Sequence, residues 1–315
     1  MSGVVTESPA AERALERAWQ LAPTGVGGVP ARVGEFVEIA KPRIAVMVLV
    51  AVTVGYGLGC EDNWRIEPWL HAMLGVALAA TAASAFNQLL ERRTDALMPR
   101  TANRALPTGR LASRDVLWFG LVSAAAAIGD LALFTNLTTV LLTIASIVLY
   151  SLVYTLLKPR SALCTAVGAV PGALPILLGW TAAGGSLTGA GLTLFAIMFL
   201  WQFPHFLAIA WKYRDQYAAA GLKMLPQGGA RVVGILATTY ALALIPVSLL
   251  PAEQGLAGNL YGATALVLGL WYAAAALGFA RRGTDLAARR LLWVSLVYLP
   301  VLLSVLLIDH WRLLQ

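Results

Sequence analysis

Charge is scarce in this sequence. Asp, Glu, Lys and Arg make up 12% of its 315 residues while 59% are hydrophobic, and the mean hydropathy is +0.73. A chain with so little charge cannot face water over most of its surface, which excludes a large soluble globule and places it among membrane proteins. Cysteine is nearly missing too. Cys60 and Cys164 fall near opposite membrane faces in the topology derived below, which excludes a disulfide between them, and neither has metal-ligand spacing. Residues 1–34 lack the apolar stretch of a cleaved signal peptide, and Glu7, Glu12 and Glu16 argue against an acid-poor transit peptide. Residues 1–37 therefore read as a flexible tail with a short helical stretch at Ala10–Leu21. Residues 38–315 read as one membrane domain, with no second soluble domain.

What the sequence does have is long apolar runs. A membrane-crossing helix needs about 20 mostly apolar residues. Nine runs of that kind are present: Ile44–Cys60, Trp69–Leu90, Val116–Phe134, Leu137–Leu157, Leu163–Thr181, Thr188–Ala210, Val232–Leu250, Asn259–Phe279 and Leu291–Ile308. Only Thr135 and Asn136 separate the third from the fourth, which predicts a tight helical hairpin. The fold class is thus an all-α membrane bundle of about nine helices. Small residues recur at packing distance, as in Ala79/Ala83 and Gly168/Gly172, and Pro171 and Pro175 fall inside the fifth run.

Of the 23 basic residues, 21 lie in the tail and in the loops after the second, fourth, sixth and eighth runs; Arg65 and Arg312 are the exceptions. The positive-inside rule then puts the N-terminus in the cytoplasm, or the mitochondrial matrix, and the C-terminus outside, which fits a multi-pass protein of a bacterial inner membrane, with the mitochondrial inner membrane as the alternative. The net charge of +7 is accounted for by this topology and by contact with anionic membrane lipid, so it does not point to nucleic acid.

Two polar loops share that basic side. The first begins with Asn87, Glu91 and Asp95, spaced i, i+4, i+8. On one helix these drift by only about 40° per step and form a polar stripe roughly 12 Å long. Oxygen donors of this kind suit Mg²⁺, which takes one or two carboxylates and completes its shell with water and substrate phosphate. Read alone, the stripe fits a solvated helix end equally well. Arg100, Arg104 and Arg110 follow it, however, and a site holding both a metal and a diphosphate needs both signs of charge. The second loop contains Pro204-His205-Phe206 and then Tyr213-Arg214-Asp215-Gln216-Tyr217. His205, inside the sixth run, reads either as an interhelical hydrogen-bonding residue or as a site residue.

Several segments together resemble the UbiA-type intramembrane prenyltransferases, and within them the heme-farnesylating branch. They are Lys41-Pro42-Arg43, the Asn87/Glu91/Asp95 stripe, Arg100-Thr101-x-x-Arg104 with Leu106-Pro107, Tyr154-Thr155-x-x-Lys158, Pro204-His205-Phe206, Tyr213-Arg214-x-x-Tyr217 with Ala219-Ala220-Gly221, and Met224-Leu225-Pro226. Their order and spacing cover roughly residues 38–230. The resemblance implies nine helices around a membrane-accessible central cavity, Mg²⁺ as cofactor, farnesyl diphosphate as donor and protoheme IX as acceptor, with other heme-handling enzymes as partners. It implies a metal set of Asn87, Glu91, Asp95 and Asp215 and a diphosphate set of Arg100, Arg104, Lys158 and Arg214. His205 and Tyr213 become heme-side candidates, and Tyr154, Trp201 and Tyr213 could shield an allylic cation. The sequence departs from the family pattern at Glu91, where Asp is usual, at Gln216, where an acid is frequent, and at Ala105 and Pro99. A sister enzyme with a quinone-precursor, chlorophyll or lipid acceptor, a transporter and a non-catalytic assembly factor stand as alternatives. The absence of paired broken helices or an internal repeat speaks against a transporter.

Overall fold

A computed structural model describes residues 29–60, 64–187 and 189–315. Among these, the helices are α1 (Val29–Ala40), α2 (Pro42–Gly59), α3 (Ile66–Asp95), α4 (Ser113–Phe134), α5 (Leu137–Leu157), α6 (Cys164–Ala182), α7 (Gly189–Lys212), the short α8 (Arg214–Ala219), α9 (Gly229–Glu253), α10 (Asn259–Arg282) and α11 (Asp285–Leu314). No strand occurs in the described residues. Among the described residues nine helices are long and apolar enough to cross a membrane, one for each apolar run. Large side chains such as Trp118, Val122, Leu133 and Trp293 stay exposed on the outside of the bundle, as lipid rather than water requires.

Apolar helices gain little from hydrophobicity against one another in lipid, so close backbone approach has to hold them. At the α2–α6 crossing, a Cβ on Gly55 would strike the Ile176 carbonyl and one on Gly179 the Val52 carbonyl. The small pair singled out from the sequence works differently. Gly168 makes room for the Tyr154 ring, and Gly172 makes room for Gln202, whose Nε2 donates to the Ala169 carbonyl at 3.1 Å. Asn136 closes the expected α4–α5 hairpin, its side chain accepting from the Thr139 N–H at 3.0 Å as the N-cap of α5.

The amino-terminal boundary differs from the sequence reading. The expected tail gives way to helix α1 at Val29, well before residue 38, whereas the Ala10–Leu21 stretch lies outside the described residues. Side-chain anchors explain the order. Glu35 and Glu38 pair with Arg110 at 2.7 and 3.4 Å, Arg32 pairs with Asp115 at 2.9 Å, and Ser84 and Gln88 on α3 donate to the Ile39 carbonyl. These partners are some 50 to 80 residues away in sequence, so no local pattern announces the helix.

Two features prepare the site. Helix α3 runs on past its apolar core to Asp95, which carries the polar stripe beyond the expected end at Leu90. The second half of α5 contains a π-helical stretch, Leu149–Tyr154, a wider turn that often marks functional positions.

Candidate active site

A cavity of about 740 Å³ opens at the end of the bundle where the basic loops lie. Asn87, Glu91 and Asp95 all line it. Each has a defined partner. Asn87 is buried and donates from Nδ2 to Thr155 Oγ1 at 2.9 Å. Lys158 donates to Glu91 Oε1, and Arg104 donates to Asp95 Oδ2 at 2.7 Å. Asp95 is 1% exposed, and the Arg104 guanidinium offsets part of the cost of burying it. The Thr101 hydroxyl fixes the turn by donating to the Asp95 carbonyl at 2.9 Å. The stripe is therefore no solvated helix end: its polar groups face inward and are matched one by one from α5 and the 96–112 loop.

The opposite wall comes from α5. Tyr150, Tyr154 and Lys158 repeat the i, i+4, i+8 spacing of the stripe, and all three line the cavity. The Lys158 ammonium lies 4.3 Å from the centre of the Tyr154 ring. Burial disfavours its charge, but Tyr154 and the Glu91 carboxylate outweigh that, so its pKa is raised and it stays protonated. Tyr150 was missed in the sequence, although the mirrored spacing around Lys158 was a usable signal. Lys41, Arg43 and Arg100 complete the basic lining, and Arg100 also sits over the Tyr213 ring at 5.2 Å.

Five cations thus line the cavity with three carboxylates, those of Glu38, Glu91 and Asp95. The surplus of positive charge calls for an anionic ligand. Burial, reinforced by the charges of Arg104 and Lys158, pulls the Lys41 pKa down to about 8.

The second polar loop contributes less than expected. Asp215 is 91% exposed and does not line the cavity, and Arg214 turns to Asp285 at 2.9 Å while stacking on Trp211. An acceptor at the start of α11 has captured the guanidinium, and its exposed neighbour stays in solvent. These two residues are not assembled with the stripe. From the same loop Tyr217, Leu222 and Met224 reach the cavity instead. Tyr213 touches it only through Arg100. His205 lies elsewhere, between α7 and α11, with Nδ1 2.8 Å from Ser295 Oγ and its ring stacked on Trp201 at 4.9 Å. Ser295 spends its own proton on the Leu292 carbonyl, so its oxygen accepts from His205, which fixes the Nδ1–H tautomer. Trp201 donates to the Ser295 carbonyl and is likewise core rather than cavity wall.

No group of three or more His, Cys, Asp or Glu side chains is placed to hold a metal among the described residues. The stripe offers two carboxylates and one amide, each carboxylate meeting its cation through one oxygen. That donor set fits a single hard cation whose shell is completed by water and phosphate oxygens, which is the habit of Mg²⁺. It does not make a closed protein cage.

An all-helical membrane bundle with an oxygen-donor stripe facing a basic wall defines an intramembrane enzyme for an anionic, lipid-soluble substrate. The UbiA prenyltransferase family profile matches residues 48–307, and the chain belongs to that family. Curated relatives named protoheme IX farnesyltransferase include one from Solibacter usitatus, 40% identical over 88% of this chain and 98% of its own, and one from Myxococcus xanthus, 40% identical over 90% and 96%. A relative of that name from Sorangium cellulosum is 43% identical over 76% of this chain and 86% of its own. Among solved structures, digeranylgeranylglyceryl phosphate synthase superposes with a TM-score of 0.78 at 13% identity, covering 90% of this chain and 99% of that one. A UbiA homolog from Archaeoglobus fulgidus bound to GPP and Mg²⁺ gives 0.58 at 17% identity, covering 86% and 99%. At such identities these structures establish the shared fold alone.

Proposed function

We propose that the chain transfers the farnesyl group of farnesyl diphosphate to a vinyl group of protoheme IX, giving heme O. One observation carries the reading: relatives of that name match this chain at 40% identity over 88% and 90% of its length, and in this chain the oxygen stripe is folded against a basic wall. We place the cavity on the cytoplasmic side of a bacterial inner membrane, following the distribution of basic residues.

Asn87, Glu91 and Asp95 would hold Mg²⁺, which supplies charge neutralisation of the departing diphosphate. Arg100, Arg104 and Lys158 supply the rest of that neutralisation from the protein. Arg104 and Lys158 pair with the stripe's carboxylates, and both line the cavity where phosphate oxygens would be held. Positive charge is thereby concentrated where the C–O bond breaks, in a site screened from water. Tyr150 and Tyr154 offer ring faces below Lys158, where an allylic cation would be shielded from premature capture. The vinyl carbon of the acceptor attacks that cation, water captures the resulting centre, and the proton released passes to the diphosphate.

The test is direct. Membranes containing the protein, given protoheme IX and farnesyl diphosphate, should yield a farnesylated heme of the expected mass together with inorganic diphosphate, and chelation of divalent ions should abolish both. Diphosphate release with another acceptor, and none with heme, would overturn the acceptor assignment.

A further inference from the structure

The end of the bundle away from the active site holds a second cavity, of about 300 Å³. Three helices finish on it. Cys60, Thr135 and Ala183, the C-caps of α2, α4 and α6, all line it, and so does Gly184. A helix C-terminus carries partial negative charge on carbonyls that have no partner within the helix. Among the described residues no N–H or O–H donates to the carbonyls of Thr135, Ala183 or Gly184. The segments that bear them are braced. Asn136 donates to the Thr181 carbonyl at 2.6 Å, and Thr139 Oγ1 lies 2.9 Å from Thr181 Oγ1, so the α4–α5 turn is tied to the end of α6. The cavity thus presents a fixed set of acceptors.

One cation stands beside them. Arg65 lines the cavity, its backbone carbonyl accepting from the Tyr56 hydroxyl at 2.8 Å. It is one of two basic residues at this end of the spans, where the charge bias of the sequence disfavours any. The other, Arg312, lies 3.8 Å from Asp309, whereas the Arg65 guanidinium has no carboxylate partner among the described residues. Trp64 packs against Tyr56 at 5.1 Å and against Trp69 and Trp311 at 5.7 and 6.4 Å, an aromatic cluster of the kind found at headgroup level. Phe134 lines the cavity, and its neighbours Leu133 and Leu137 leave large apolar side chains exposed to lipid.

A simple anion would meet unpaired carbonyls here, and a simple cation would meet Arg65. A zwitterion satisfies both. We propose that this cavity binds the headgroup of a phospholipid with a primary ammonium, of the phosphatidylethanolamine type. The ammonium donates to the carbonyls at the ends of α4 and α6, and the phosphate takes the Arg65 guanidinium. The acyl chains run along Leu133 and Leu137. The volume suits a headgroup, being at the small end of ligand pockets. Selectivity follows from the donors: a trimethylated headgroup has the same charges but no N–H to give, and a glycerol headgroup keeps the phosphate but lacks the cation. The site takes no part in prenyl transfer; its lipid joins the ends of α2, α4 and α6.

Delipidated protein in detergent is titrated with phosphatidylethanolamine, phosphatidylcholine or phosphatidylglycerol of identical acyl chains, and bound lipid is counted by native mass spectrometry. The ethanolamine lipid should bind about tenfold more tightly than either of the others. Arg65→Gln should remove most of that preference, and Ala183→Leu, which adds bulk to the lining, should do the same from the carbonyl side. Arg312→Gln, the other arginine of this end, should leave it intact. Equal binding of the ethanolamine and choline lipids would overturn the proposal, because the carbonyls would then accept nothing. Equal binding of the ethanolamine and glycerol lipids would overturn it by leaving only a phosphate contact. Unchanged preference in both Arg65→Gln and Ala183→Leu would place the lipid elsewhere.

Discussion

Arg104 and Asp95 form the site's most deeply set ion pair, Nη1 donating to a 1%-exposed carboxylate at 2.7 Å across a turn of nine residues. The pair ties the end of α3 to the loop that follows. The guanidinium offsets part of what burial costs the carboxylate's charge.

Asp95→Asn conserves volume and deletes the charge. We expect heme farnesylation to fall by about a hundredfold or more in protein present at normal membrane levels. Glu91→Asp keeps a carboxylate with shorter reach and should retain measurable, Mg²⁺-dependent activity. Product formation by Asp95→Asn at the wild-type rate and with unchanged Mg²⁺ dependence would remove the stripe from the mechanism.

His205→Ala tests the reassignment of that residue. It loses the hydrogen bond to Ser295 and the stack on Trp201, so stability should drop by about 1–3 kcal/mol. Turnover per folded molecule should stay near wild type. A selective rise in the heme KM without loss of stability would return His205 to the acceptor.

Asp215→Asn and Arg214→Ala probe the second loop. Because Asp215 is exposed and Arg214 pairs with Asp285 outside the cavity, we expect the Mg²⁺ dependence of the first and the donor KM of the second to match wild type within about twofold. A shift of the Mg²⁺ requirement in Asp215→Asn would mean that this loop closes on the site during turnover.

Orientation is checked at the same position. With Cys60 and Cys164 replaced by Ala, a cysteine at the exposed position 215 should resist an impermeant thiol reagent added to intact cells and react once the membrane is opened. Ready labelling from outside would invert the topology.

Gly179→Ala should be among the most damaging small substitutions. Its Cβ meets the Val52 backbone carbonyl, which cannot rotate away, so α2 and α6 must separate; the cost is about 1–3 kcal/mol. Gly278→Ala, with nothing within 4 Å of the added Cβ, should be neutral or stabilising. Thermal unfolding in detergent compares the two, and equal stability would show that the crossing relaxes.

Much of this architecture was legible in the sequence because lipid imposes a coarse and local code. Each helix needs an apolar run, and all nine runs coincide with described helices long and apolar enough to cross. The stripe was legible for the same reason, since i, i+4, i+8 spacing puts Asn87, Glu91 and Asp95 on one face whatever surrounds them. What stayed hidden depends on distant partners. Helix α1 is anchored by Arg110, Asp115 and residues of α3. Arg214 is drawn off by Asp285, some 70 residues later, and His205 is turned into the core by Ser295. A motif gives the order of residues along the chain, but competing acceptors decide which of them face the cavity.

The π-helical turn at Leu149–Tyr154 has a final consequence for how the site is timed around its axis. An α-helix advances about 100° per residue, and a wider turn holds about one residue more over the same rotation. If that stretch relaxed to ordinary α geometry with the chain length unchanged, Thr155 and Lys158 would swing round by about that angle. Asn87 would lose its acceptor Thr155, and the Lys158 ammonium would turn away from Glu91. The irregular turn thus acts as an angular gear, setting the phase of the basic wall against the acidic one, and an insertion or deletion of one residue in α5 would be read first as a rotation of charge.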